Sequence, residues 1–347
     1  MTTDCVVIGG GIIGVMTARI LAKAGLKVQV LEKQQVGRES SWAGGGLLSP
    51  IYPWDAPEVL WPLISRGNEV YPQLCEDLLN ETGIDPEYVQ SGLLNFDSIE
   101  TDKLYYWAKE TDTSYQRVDQ KQLTEIEAAV NPLYEFATWV PEIAQVRNPR
   151  LLKALKNSLL NNKKVQIKEG IEVQAVNQVK ERVSSVKTSE GKISCQYVVV
   201  AAGAWSGTFL KDETRIQPVR GQMLRIEAPK GLLQRVLMCD STYLIPRQDG
   251  QILIGSSLEY VGFDKSTTEE VAKKLYTNAI KILPELQNFP IAQQWAGLRP
   301  GSENGIPLIE ESDEVKGLFI NSGHFRNGVG LAPASCEMLV DKMLSSE

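Results

Sequence analysis

The sequence predicts an α/β protein of two interleaved domains, one built on a parallel sheet and the other, of α+β character, on an antiparallel sheet. Three observations carry that expectation. The chain opens with strand, glycine turn, helix and second strand, DCVVIGGGIIGVMTARILAKAGLKVQVLEK, at 4–33. A buried strand with a glycine exit, YVVVAAG, returns at 197–203 after a long insertion. Runs typical of antiparallel strands, one a hairpin, follow between 217 and 257. At 347 residues the chain also exceeds the usual single-domain size. On this reading residues 1–84, 143–215 and 300–347 form the first domain, and 85–142 and 216–299 the second.

The amino-terminal element is justified residue by residue. Cys5 to Ile8 form a short apolar strand, and Gly9, Gly11 and Gly14 then match G-x-G-x-x-G. Ile13 to Lys23 suit a helix stopped by Gly25, and Lys27 to Leu31 a second strand ending in Glu32. Gly9 permits the tight turn, Gly11 lets the backbone approach a pyrophosphate, and Gly14 lets the helix pack closely on the sheet. The helix N-terminus offers N–H groups and a positive dipole end to phosphate. Glu32, 21 residues after Gly11, suits a ribose and repels a 2′-phosphate. This is a Rossmann-type dinucleotide site, which by itself admits either NAD or FAD. The stretch GRESSWAGGGLLSP (37–50) can pass beneath a flat ring and donate backbone N–H groups, or be a flexible surface loop.

Further along, residues 57–84 read as helical, and 85–140 as short strands with a helix near 121–129. Asn148 is expected to cap a helix with Pro149 in its first turn. Strands follow at 164–168, 171–178 and 182–188, then at Tyr197 to Ala201, ending in Gly203. QPVRGQMLRIEA (217–228) and STYLIPRQDGQILIGSS (241–257) read as antiparallel strands, the latter turning at Asp249–Gly250. TTEEVAKKLYTNAIKILPEL (267–286) is an amphipathic helix. Last come a strand in GLFIN (317–321) and a helix that begins near Val329 and includes ASCEMLVDKML (334–344).

Composition excludes several functions. A net charge of −7 disfavours nucleic acid. No apolar run approaches the ~20 residues of a spanning helix, and the start MTTDCVVIGGG has no basic n-region, so a cytoplasmic location is expected. Cys5, Cys75, Cys195, Cys239 and Cys336 are scattered without a CxxC and fit reduced thiols. His324 is the only histidine, so a multi-histidine metal site is impossible and no metal is expected. No GxSxG elbow accompanies it. The chemistry therefore falls to a bound organic cofactor.

The arrangement resembles the D-amino-acid oxidase superfamily of flavoproteins, and within it the glycine oxidases associated with thiamine biosynthesis. The resemblance runs the length of the chain and rests on VVIGGGIIG, VLEK, SSWAGGGLL, YVVVAAGAWS, TYLIPR, WAGLRPGSENGIPLI and GHFRNGVGLAPA. It implies a Rossmann-type FAD-binding domain beneath an antiparallel sheet. It also implies oxidation of glycine, sarcosine or a small D-amino acid to an imine, with hydride passing from the α-carbon to flavin N5 and electrons to oxygen as peroxide. The imine then gives a 2-oxo acid and ammonia. A D-amino-acid dehydrogenase passing electrons to a quinone is the alternative. A non-catalytic flavin-binding module is a third reading. Homo-oligomers are common in the family. Sarcosine oxidases attach flavin through a cysteine near the segment aligned with GLRPGSENG. This chain has none between Trp295 and Ile309, so noncovalent FAD is expected.

By motif, the resemblance assigns FAD to Gly9, Gly11, Ile12, Ile13, Gly14, Glu32 and Lys33, then to Glu39, Ser40, Ser41, Gly44, Gly45 and Gly46. Val173 would meet the adenine through its backbone, and Gly203 closes the returning strand. His324, Phe325, Arg326, Asn327, Gly328, Val329 and Gly330 would wrap the flavin's far edge. Trp42 departs from the small residues usual there and is expected near the ring. Tyr243, Arg299 and Arg326 would meet the substrate. A guanidinium fork such as Arg299 suits a carboxylate, and Tyr243 can donate to the same group. Arg326 could contact substrate or hold its loop, and Arg247 reads as structural. The sequence favours His324 as part of a flavin-cradling turn over a general base, because hydride transfer from a neutral amine needs no base on carbon. No catalytic side chain is therefore assigned. Pocket size is expected to depend on Tyr243, Leu258 and the loop 42–55.

Overall fold

The computed structural model describes residues 3–345. Its first sheet has six strands in the order Leu308–Glu311, Leu318–Ser322, Tyr197–Val200, Cys5–Ile8, Val28–Glu32 and Val165–Glu169. Neighbours run parallel except the first pair, which is antiparallel. The central strands CVVI and YVVV are apolar on both sides because both faces are covered. On one face, Val7, Val30, Val199 and Phe319 pack against the helices Ile12–Lys23, Trp61–Thr82, Asn148–Leu160 and Gly328–Ser345. On the other, Val6, Ile8, Val198 and Val200 meet Val183 and Val186 of a three-stranded antiparallel sheet. The alternation of side chains along each strand makes that division.

The second sheet has eight strands, ordered Ile291–Gly301, Gln217–Glu227, Gln251–Gly255, Thr242–Pro246, Val236–Cys239, Leu93–Asn95, Phe136–Val140 and Gln116–Asp119. Helix Glu269–Ile282 buries Ala272, Leu275, Ala279 and Ile282 on the even-numbered face, against Leu224, Ile226, Leu244 and Ile254. The Thr268 hydroxyl caps its first turn. The odd-numbered face, with Met223, Tyr243 and Ile245, is left for the first sheet's carboxyl edge. The expected hairpin turn is present, with Gly250 N–H donating to the Arg247 carbonyl at 3.0 Å.

One local expectation is corrected and another is refined. Asn148 is the first helical residue, not the cap, and Arg147 precedes it without a side-chain cap. Its amide is used elsewhere, donating to the carbonyls of Ser41 at 2.8 Å and Gly44 at 3.0 Å. The terminal helix begins at Gly328, next to the expected start near Val329, and runs through Pro333. Proline cannot donate to the carbonyl four residues back. That carbonyl, on Val329, accepts instead from the Tyr71 hydroxyl at 2.5 Å. A missing helical bond is replaced by a buried side chain, so the helix continues. Among the described residues, no helix is long and apolar enough to cross a membrane.

Candidate active site

A cavity of about 410 Å³ lies where the carboxyl ends of the parallel strands face the odd-numbered side of the antiparallel sheet. Parallel strands all leave their C-terminal loops at one edge, so the glycine turn, Glu32, Gly203 and His324 converge there. At the first turn, Glu32 accepts from Gly10 N–H and from Gln34 N–H, both at 2.8 Å, which pins its carboxylate at the cavity wall. The Ser41 hydroxyl accepts from Ile12 N–H at 2.9 Å and so joins the loop 37–50 to the helix start. Gly14 sits where an added Cβ would fall 2.0 Å from the Gly9 carbonyl oxygen, and only glycine allows this helix–strand approach.

The loop is held from the opposite sheet. Arg247 donates to the Gly45 carbonyl at 2.6 Å, the Val146 carbonyl at 3.1 Å and Gln145 Oε1 at 2.5 Å. Burial, with Arg147 nearby, lowers this guanidinium to about 10, and it acts structurally as expected. Trp42 corrects an expectation: it is absent from the cavity wall and packs edge-on to Trp295 with ring centres 5.8 Å apart. Leu258 is likewise exposed and away from the wall, whereas Ile51 of the loop 42–55 lines it.

At the sheet end, Arg299 and Tyr243 both line the cavity. Register places Val219 opposite Arg299, Gly221 opposite Gly297 and Tyr243 opposite Gly255. A Cβ on Gly221 would fall 2.1 Å from Arg299 Nη1, and one on Gly255 2.5 Å from the Tyr243 hydroxyl. Missing side chains thus create the space that these two groups occupy. Arg299 donates to Ser256 Oγ at 2.7 Å and to the carbonyls of Ser257 at 3.1 Å and Arg220 at 3.3 Å. Burial lowers its guanidinium from the ordinary value, against a pull upward from Tyr243, and nearby Arg326 lowers it further. Among the described residues, neither Arg299 nor Arg326 has a carboxylate partner. Arg326 lies over the Phe325 ring at 5.5 Å, and its Nε is buried without a hydrogen bond.

His324 is buried on the cavity wall, with Nε2 3.0 Å from the Ser335 hydroxyl. Its Nδ1 has no partner among the described residues. Burial lowers its pKa to about 3, so it is neutral near pH 7 and a poor proton acceptor. The turn that carries it is fixed by Phe325 N–H on the Pro300 carbonyl at 2.9 Å and by Ser302 Oγ on the Gly323 carbonyl at 2.6 Å.

Of the residues that the sequence assigns to FAD or substrate, all but three line this one cavity. The exceptions are Gly14, Asn327 and Gly330. Gly14 and Gly330 serve close backbone packing, the latter against Leu48, while Asn327 closes the turn by donating to the His324 carbonyl at 2.9 Å. Sequence reasoning missed Gly221, Met223, Ile245 and Gly297 on the sheet, together with Trp205. Glycines inside strands mark close approach and could have revealed Gly221 and Gly297. The cavity fits FAD on its own features: a glycine turn under a helix start, an acid pinned at the strand end, and unpartnered His324 Nδ1 and Arg326 Nε in the loop opposite.

Comparisons with known proteins agree. Residues 4–342 match the model of the DAO family, FAD dependent oxidoreductase. Glycine oxidase of Pseudomonas aeruginosa is 41% identical, and that of Pseudomonas putida 39%, each over 100% of this chain and 96% of the relative. The crystal structure of glycine oxidase from Bacillus cereus superposes with a TM-score of 0.91 at 30% identity, covering 100% of this chain and 96% of that one. With the cavity, its glycine turn and its free guanidinium already in place, these matches make the chain a member of the DAO family of FAD-dependent oxidoreductases and an enzyme of the amino-acid oxidase kind.

Proposed function

We propose that this enzyme oxidises glycine, sarcosine or small D-amino acids to the imine, which water converts to a 2-oxo acid and ammonia, or methylamine in the case of sarcosine. The observation that carries the proposal is Arg299, an enclosed guanidinium in the FAD cavity whose only hydrogen-bond acceptors are neutral oxygens. Such a charge favours a bound carboxylate, and its planar fork can take both oxygens. The Tyr243 hydroxyl lies beside it, close enough to favour its charge, and also makes a weak contact with Met223 Sδ at 3.8 Å. It is free to donate to the same carboxylate. Met223 and Ile245 pave the sheet below the cavity and favour substrates with little side chain.

When bound noncovalently, FAD would supply two-electron oxidation of the carbon–nitrogen bond, with oxygen or a quinone as the final acceptor. Glu32, the Gly9–Gly14 turn and the loop 44–46 would hold it, with His324 to Val329 at its far edge. The protein's part is to orient the α-carbon, exclude water and keep positive charge near the reacting centre. His324 is neutral and resists protonation, and the Glu32 carboxylate is committed to Gly10 and Gln34 N–H, so neither is poised as a base. Anaerobic mixing of the FAD-loaded enzyme with a panel of small amino acids tests the proposal. Bleaching by glycine, sarcosine or D-alanine supports it, and failure of all three refutes it. Peroxide in air, against dye reduction without it, distinguishes oxygen from a quinone as acceptor.

A further inference from the structure

Arg299 is held by a set of acceptors that are themselves tied together behind it. Its Nη2 donates to Ser256 Oγ at 2.7 Å, and its Nη1 to the Ser257 and Arg220 carbonyls. Glu259 links those last two residues. It accepts from Ser257 Oγ at 2.5 Å, forms an ion pair with Arg220 Nη2 at 2.6 Å, and exchanges backbone hydrogen bonds with Arg220 at 2.9 and 3.0 Å. Gln222 adds its amide to Glu259 at 3.0 Å and its N–H to Ser257 Oγ at 2.8 Å.

The charge distribution gives this network its meaning. The Glu259 carboxylate is spent on Arg220, Ser257 and Gln222, while Arg299 donates to a serine hydroxyl and two carbonyls beside the Tyr243 phenol, all neutral groups. Neutral acceptors orient a guanidinium but leave its charge uncompensated. A carboxylate in the same place would orient it equally well and cancel the attraction for an incoming anion. Backbone carbonyls keep their identity on substitution and Tyr243 faces the substrate, so Ser256 is the side chain whose removal changes Arg299's support from behind the site.

We propose that Ser256 is a positioning residue that aims Arg299 at the substrate carboxylate, and that its neutrality is what keeps the carboxylate site open. The inference rests on Arg299 gripping that carboxylate, as proposed above. The test uses FAD-loaded protein, with glycine kinetics and with glycolate, a carboxylate lacking the amine, titrated by its perturbation of the flavin absorbance. Ser256→Ala is expected to raise KM for glycine and Kd for glycolate about tenfold, the scale of one hydrogen bond to a charged group, with kcat within about threefold. Ser256→Thr, which keeps the hydroxyl, should restore both. Ser256→Asp should weaken glycolate more than Ser256→Ala does, because it places a rival carboxylate on Arg299.

Three results would overturn the inference. Normal glycolate binding by both Ser256→Ala and Ser256→Asp, while Arg299→Ala loses it, would reject the positioning role and leave the substrate reading intact. Normal binding by Arg299→Ala would reject both together. Loss of FAD or of folding in Ser256→Ala would show a structural role instead, since a positioning residue leaves the cofactor bound.

Discussion

Gly221→Ala should damage substrate binding without dismantling the fold. A Cβ at that position falls 2.1, 2.2 and 2.3 Å from Nη1, Nη2 and Cζ of Arg299. Carbon needs about 3.5 Å, so the guanidinium must retreat by roughly 1 Å or more. A misplacement of that size at a reacting centre can cost about a hundredfold. The backbone has less to lose. Gly221 pairs with Gly297 in a regular antiparallel ladder, and alanine in a strand interior is favoured over glycine by about 0.5–1 kcal/mol. That gain offsets part of what Arg299 loses in hydrogen bonds, each worth about 1 kcal/mol net. The expected outcome is kcat/KM for glycine lowered about a hundredfold, chiefly through KM, with urea stability changed by no more than about 2 kcal/mol. Steady-state kinetics and equilibrium unfolding measure the two quantities separately. An unchanged KM in folded, FAD-loaded protein would show that Arg299 does not act from the position described.

Arg299→Ala should raise KM for glycine by an amount consistent with about 2–5 kcal/mol for an enclosed charged contact, and an unchanged KM would remove Arg299 from its role. His324→Ala should retain turnover within about tenfold of the parent, since loss of a true general base costs about 10²–10⁴-fold. The same variant has a pH signature. The unfolded chain protonates His324 near pH 6.5, whereas burial delays this in the fold to about 3. His324 therefore favours unfolding increasingly as pH falls across that window and exerts no such effect above it. Replacing it should flatten the acid limb of stability, and an unchanged limb in urea titrations at pH 6.5 to 4 would contradict its burial as a neutral ring. Phe263 stacks on Trp205, a cavity-lining ring, with centres 5.5 Å apart. Phe263→Ala should weaken FAD binding by about two- to tenfold, the scale of one aromatic pair, when apoprotein is titrated by flavin fluorescence.

Most of the fold's elements were legible because their signals are local. The run VVIGGGIIG encodes a strand, a turn and a helix start within a few residues, and TTEEVAKKLYTNAIKIL shows its apolar stripe directly. Asn148 misled because it sits one position inside the helix, where its Nδ2 donates to the neighbouring loop and its Oδ1 caps nothing. Trp42 misled in the same way: its side chain turns to Trp295, a partner that sequence proximity could not reveal.

The chain alone thus determined the dinucleotide turn, the pinned acid and the identity of the candidate guanidinium. Tertiary structure decided how that guanidinium is presented. Gly221, Ser256 and Ser257 reach Arg299 from segments some 40 to 80 residues away through antiparallel pairing and the turn beyond it. Register across strands leaves no trace in any one strand, because each records only which of its faces is apolar. What leaves a cation unneutralised beside a cofactor cavity is the company that register assembles around it.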